Sequence, residues 1–123
     1  MNGTFIPALL FDPAQWNVDN FVHYDSAPFM SALIQVLHRL TAYALTVIVL
    51  VYFFKARKLT APTVFHTWLY LLITLLATQI TLGILTVVNC IGFVPVGLGV
   101  LHQACALLLL TAALFQNYSV SGK

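Results

Sequence analysis

The chain contains no glutamate, and its three carboxylates, Asp12, Asp19 and Asp25, all fall near the start. Charged residues make up 7% of 123 positions and hydrophobic ones 61%, whereas soluble domains carry roughly 25% charge. A soluble fold of this size would lack polar surface, so the composition specifies an integral membrane protein. Two cysteines, Cys90 and Cys105, supply neither a disulfide framework nor a CxxC pair. A net charge of +2 without a basic stripe gives no reason to expect nucleic acid as a partner. No Lys or Arg occurs in residues 1–30, which hold three prolines, so this stretch does not have the pattern of a secretion signal. It reads as an external tail, 1–28, whose Phe5, Phe11, Trp16, Phe21 and Tyr24 suit a membrane interface. An external tail with no upstream helix to export it points to a missing N-terminal portion.

Three long apolar runs follow, at 29–54, 63–88 and 96–117. Each exceeds the roughly 20 helical residues needed to cross about 30 Å of hydrocarbon. Length separates them from buried strands where periodicity alone does not, so the fold class is all-α. Lys55, Arg57 and Lys58 cluster in the first connection, 55–62, and place it on the cytoplasmic side. The loop 89–95 and the tail then lie outside, and the C-terminal residues 118–123 inside. Tyr52, Phe53, Trp68, Tyr70 and Tyr118 form an inner aromatic belt.

His38 and His102 lie inside the first and third runs, which cross in the same direction. His38 precedes Lys55 by 17 residues, about 25 Å of helix. His102 precedes Gln116, taken as the polar inner end of its run, by 14 residues, about 21 Å. Both follow Val-Leu, in "VLHR" and "VLHQ". Intramembrane ionisable groups are rare and usually functional, and two imidazoles at one depth suit the opposite faces of a six-coordinate haem iron. The alternative is that each ring hydrogen-bonds a carbonyl or a neighbouring side chain. Zinc would need further ligands, and none stands at this level. Arg39, about 100° round the helix from His38, either snorkels to headgroups or pairs with a haem propionate. Ala42 and Ala106, four residues after each histidine, offer small surfaces for close packing. Gln79, Gly83 and Thr86 share one face of the second run and read as interhelical glue beside a cofactor. His23, His66 and Cys105 read as ordinary interfacial or packing residues.

Together, "IQVLHRLTAY", "TQITLGILTVV" and "VPVGLGVLHQACALLLLTAALF" resemble the C-terminal half of the haem A synthase family. The opening "MNGTFIPALLF" resembles the external loop before the sixth of that family's eight helices. The resemblance implies a membrane oxidoreductase that converts haem O to haem A by oxidising the C8 methyl to a formyl, for cytochrome oxidase assembly. It implies two four-helix halves, the C-terminal one holding haem b on His38 and His102 as axial iron ligands. The other half would receive haem O and carry a loop glutamate needed for the chemistry. This chain has three of four helices, no glutamate, and a Met1 at an internal position of the family's loop. It is therefore expected to be a C-terminal fragment or one part of a split protein, without a catalytic residue and inactive alone. Expected surroundings are the lipid bilayer of a bacterial cytoplasmic membrane, with the mitochondrial inner membrane as the other setting. Expected partners are the missing half, haem O synthase and a second copy of the chain. The rival reading is a three-helix cytochrome b anchor of a succinate dehydrogenase type complex. A haem-free assembly protein is a third.

Overall fold

A computed structural model describes residues 6–89 and 95–121. Cys90, Phe5 and Lys123, which carry parts of the loop, tail and terminus expectations, lie outside the described residues. Two short 3-10 turns, Ala8–Phe11 and Pro13–Gln15, precede α1 (Val18–Val22), α2 (Pro28–Ala56), α3 (Thr63–Val88) and α4 (Val96–Ser121). There is no strand among the described residues, and the protein is all-α. Among the described residues three helices are long and apolar enough to cross a membrane: α2, α3 and the Val96–Tyr118 part of α4. Two compact units divide the chain at Val47 and Ile48, within α2.

The first unit turns the expected external tail into a folded cap on the start of α2. Polar side chains close its turns by satisfying backbone groups. Asp12 accepts from the Ala14 N–H at 3.0 Å, and Asn17 caps α1 by accepting from the Asn20 N–H at 2.9 Å. The Trp16 indole N–H donates to the Leu10 carbonyl at 3.1 Å, and the Asn20 amide donates to the Gln15 carbonyl at 2.8 Å. Against this frame pack Trp16, Phe21 and Phe29. Phe29 is fully buried, 5.1 Å from the Trp16 ring and 6.2 Å from Phe21, both edge-on. Truncating Phe29 to alanine is expected to cost about 3–5 kcal/mol, the usual penalty for a buried ring. Faster amide hydrogen exchange in 8–22, with α3 and α4 unchanged, is the measurement that checks it.

The second unit holds the end of α2 with α3 and α4. Helix α2 closes with Arg57 N–H on the Phe53 carbonyl at 3.0 Å and Leu59 N–H on Ala56 at 3.0 Å. The Arg57 guanidinium lies 5.2 Å above the Phe54 ring, a favourable cation–π distance. Ala56, Phe65 and Leu69 form a small core, with Phe53 and Ala61 packed on it. Phe53 and Tyr70, two of the expected belt aromatics, meet edge-on at 5.7 Å. Helix α4 continues past Asn117 to Ser121 because no Pro or Gly interrupts it before Gly122.

Helices α3 and α4 form an antiparallel pair with a seam spaced alternately three and four residues apart. On α3 the seam is Phe65, Leu69, Leu72, Leu76, Gln79, Gly83 and Thr86; on α4 it is Leu98, His102, Cys105, Leu109, Ala112 and Gln116. All are buried or half-buried, and this alternation suits near-antiparallel packing at a small crossing angle. The register is fixed at several levels. Trp68 stacks on Phe115 at 4.9 Å, the Cys105 thiol points at the Leu75 carbonyl 3.7 Å away, and His102 meets Gln79.

Outside the seam the helices are dressed for hydrocarbon. Leu37, Val47, Ile84, Leu101, Leu108 and Leu114 are all more than half exposed, which suits lipid and not water. The polar side chains there satisfy themselves. Thr46, Thr74, Thr78, Thr81 and Thr111 each donate the hydroxyl to the carbonyl four residues back, at 2.7–3.0 Å. Such back-bonding leaves no hydroxyl proton unpaired in a medium that offers no partner.

Candidate functional site

The polar centre of the second unit is the pair Gln79 and His102. Seam spacing puts both at the α3–α4 interface, half-buried, with the Gln79 side-chain amide nitrogen 3.1 Å from His102 Nε2. With the amide N–H donating, Nε2 is the acceptor and the ring proton sits on Nδ1. Gly83, one turn along α3, is the seat of the ring. A methyl group there would stand 3.2 Å from His102 Cε1 and 3.6 Å from Nδ1. An alanine at 83 would require the imidazole to give by a few tenths of an ångström. His102 Nδ1 and Gln79 Oε1 are both buried, so the contact is shielded from solvent on either side.

His38 and Arg39 belong to the first unit and sit on different sides of α2. His38 lies on an exposed face, and Arg39 is half-buried. The first unit thus contributes an imidazole on an apolar helix surface, and the second an imidazole seated by a glutamine and a glycine.

Several expectations change at this level of detail. Gln116 is 1% exposed, so it packs in the seam. Measured instead from Tyr118, where the apolar span ends, His102 lies 16 residues in, about 24 Å. Ala42 and Ala106 are exposed; Cys105 and Ala112 supply the small surfaces on the His102 side of α4. The Thr86 hydroxyl bonds the Leu82 carbonyl of its own helix at 2.8 Å, whereas the Gln79 amide reaches α4. His66 lies 3.5 Å from the Pro62 carbonyl at the start of α3, and His23 lies 3.6 Å from Asp19 in an exposed pair. No group of three or more His, Cys, Asp or Glu side chains comes together among the described residues. His102, a single imidazole in the seam, fits a macrocycle that already supplies four nitrogens. The seat fits that role as well: a histidine fixed by a hydrogen bond, with a glycine clearing space for the ring. Ligation through Nε2 requires Gln79 to give up that nitrogen.

Apolar spanning helices with a histidine and a glutamine bonded between them define a multi-pass membrane protein with an intramembrane polar site. The sequence matches the cytochrome oxidase assembly protein family over residues 1–114, and the chain belongs to that family. It is 37% identical over 120 residues to a protein named Heme A synthase from Nitrosospira multiformis, covering 98% of this chain and 31% of the relative. A Heme A synthase from Paracoccus denitrificans is 34% identical over 93% of this chain and 27% of its own length. One from a Methylobacterium species is 36% identical over 92% and 29%. The chain thus spans under a third of the length of these curated bacterial relatives. No solved structure matches it. The family match does not favour a succinate dehydrogenase type anchor.

Proposed function

We propose that this chain is the haem b-binding, C-terminal half of a haem A synthase. The observation that carries the reading is His102, seated on α4 by Gln79 and Gly83 inside an apolar helix pair. Its proposed counterpart is His38, 17 residues above the basic end of α2, as His102 is 16 above the end of its span. The two imidazoles would be the axial ligands of haem b, and Arg39 would meet a propionate. When bound, that haem supplies one-electron redox chemistry, and the chain supplies its ligands and a dry, apolar surround. Oxidation of haem O belongs to the assembled synthase, in which this chain works with the other half and the bilayer. Haem O synthase and a second copy are the further partners proposed. The test is the reduced-minus-oxidised spectrum of the chain extracted from haem-sufficient membranes. A low-spin b-type signal is expected. A haem-free chain, even with the remaining portion of a synthase supplied, would overturn the reading in favour of a haem-free assembly protein.

The proposed topology places the folded cap outside and Lys55, Arg57 and Lys58 on the cytoplasmic side of a bacterial membrane. Single cysteines introduced at Asp12 and at Lys58, in a background without Cys90 and Cys105, are expected to differ. An impermeant thiol reagent added to whole cells with a permeable outer envelope labels the first and spares the second. The reverse pattern would invert the orientation.

A further inference from the structure

We propose that Gln79 is a positioning residue that holds His102 by Nε2 against α3, in the tautomer iron needs, and yields that nitrogen when haem binds. The inference rests on the reading of His102 as an iron ligand. Three observations support it. The Gln79 amide nitrogen stands 3.1 Å from Nε2, the nitrogen whose lone pair a haem iron would take. Gly83 leaves room for the ring's Cε1 edge, which a Cβ at that position would approach to 3.2 Å, so the imidazole lies against α3 at a glycine one turn from Gln79. The Gln79 carbonyl oxygen is buried and makes no hydrogen bond among the described residues, so the amide reaches α4 only through His102.

The chemistry follows from the donor's identity. An amide N–H pointing at Nε2 places the ring proton on Nδ1 and keeps the Nε2 lone pair unprotonated. Exchanging the amide for iron then requires no proton to leave the ring. A carboxylate at 79 would accept instead of donate and would favour a proton on Nε2, the form that iron cannot use. A leucine at 79 would neither hold the ring nor select a tautomer. The glutamine thus acts in two opposed ways. It competes with iron for one lone pair, and it keeps that lone pair available.

The test uses the full chain in lipid nanodiscs, with haem b as the probe and Q79L, Q79M and Q79E as variants. In the haem-free chain, 15N spectra of His102 are expected to show the Nδ1–H tautomer in the wild type. Q79L and Q79M should show a mixture, and Q79E the Nε2–H form. Haem b is expected to bind Q79L and Q79M about threefold to tenfold more tightly, the worth of one lost hydrogen bond. Q79E should bind it about tenfold more weakly, because the charge-assisted bond from Nε2–H to the carboxylate must break and the proton move to Nδ1 before iron can take the nitrogen. Unchanged tautomer populations across the variants would overturn the proposal, as would equal haem affinity in all three. Q79M, close to glutamine in volume, separates loss of the bond from loss of packing if Q79L fails to fold. Retention of an unaltered haem spectrum in H102A would instead defeat the ligand reading. The nitrogen spectra of the haem-free chain would still decide whether Gln79 holds the ring.

Discussion

His102→Ala and His38→Ala are each expected to abolish the low-spin haem signal. A six-coordinate haem iron between two imidazoles loses its low-spin state when either is removed and not replaced. Among the described residues Cys105 is the nearest candidate along α4, and its thiol is turned towards the Leu75 carbonyl 3.7 Å away. Replacement of an outer-shell partner alone commonly costs 10- to 100-fold in metal affinity. Loss of the ligand itself should therefore reduce bound haem by more than about tenfold and turn the remainder high-spin. His66→Ala and His23→Ala are the internal controls. His66 stands at the start of α3 by the Pro62 carbonyl, and His23 lies in the exposed cap by Asp19. Neither substitution should alter the spectrum. A low-spin signal surviving in both His38→Ala and His102→Ala would place the haem elsewhere.

The helices were legible because hydrocarbon imposes a simple condition on them, about 20 apolar residues with every backbone group paired internally. Which face of each helix turns inward was less legible, because in lipid the inward and outward faces are both apolar. Gln79, Gly83 and Thr86 share a face by spacing and all lie in the seam, yet the Thr86 hydroxyl bonds its own helix where the Gln79 amide bonds His102. A threonine hydroxyl can satisfy itself on its own helix, and a glutamine amide reaches further. Gln116 shows the same difficulty. A lone polar residue near the end of an apolar run reads as the edge of the membrane, but here it is buried in the seam. Cys105 packs in the seam as its small apolar side chain suggests, while Ala106, one residue on, faces outward. The folded cap was not legible at all. It depends on the Trp16 indole finding the Leu10 carbonyl and on three aromatic rings meeting, contacts that no periodic pattern announces.

Haem O given to the purified chain, with an electron acceptor present, is expected to yield no haem A. The reason lies in what the spanning helices contain. Oxidising a methyl group to a formyl with an electron acceptor adds an oxygen atom from water, passes four electrons to the acceptor and releases four protons that positioned groups must take up; such acid–base groups contribute typically 10²- to 10⁴-fold. Asp12, Asp19 and Asp25 all precede α2, and the sequence has no glutamate to place beside a substrate. Within the spanning helices, the candidate base that the structure seats is His102, and in the proposed role its nitrogen belongs to haem b. The chain alone should therefore turn over at least about a hundredfold more slowly than a complete synthase, the lower bound of that contribution. Co-expression with the remaining portion of a relative, which makes up more than two thirds of the Nitrosospira protein's length, should restore haem A. That restored activity should be lost again in His102→Ala. Formation of haem A by the purified chain without a partner would mean that the oxidising site lies within these three helices, and the division of labour proposed between the two halves would be wrong.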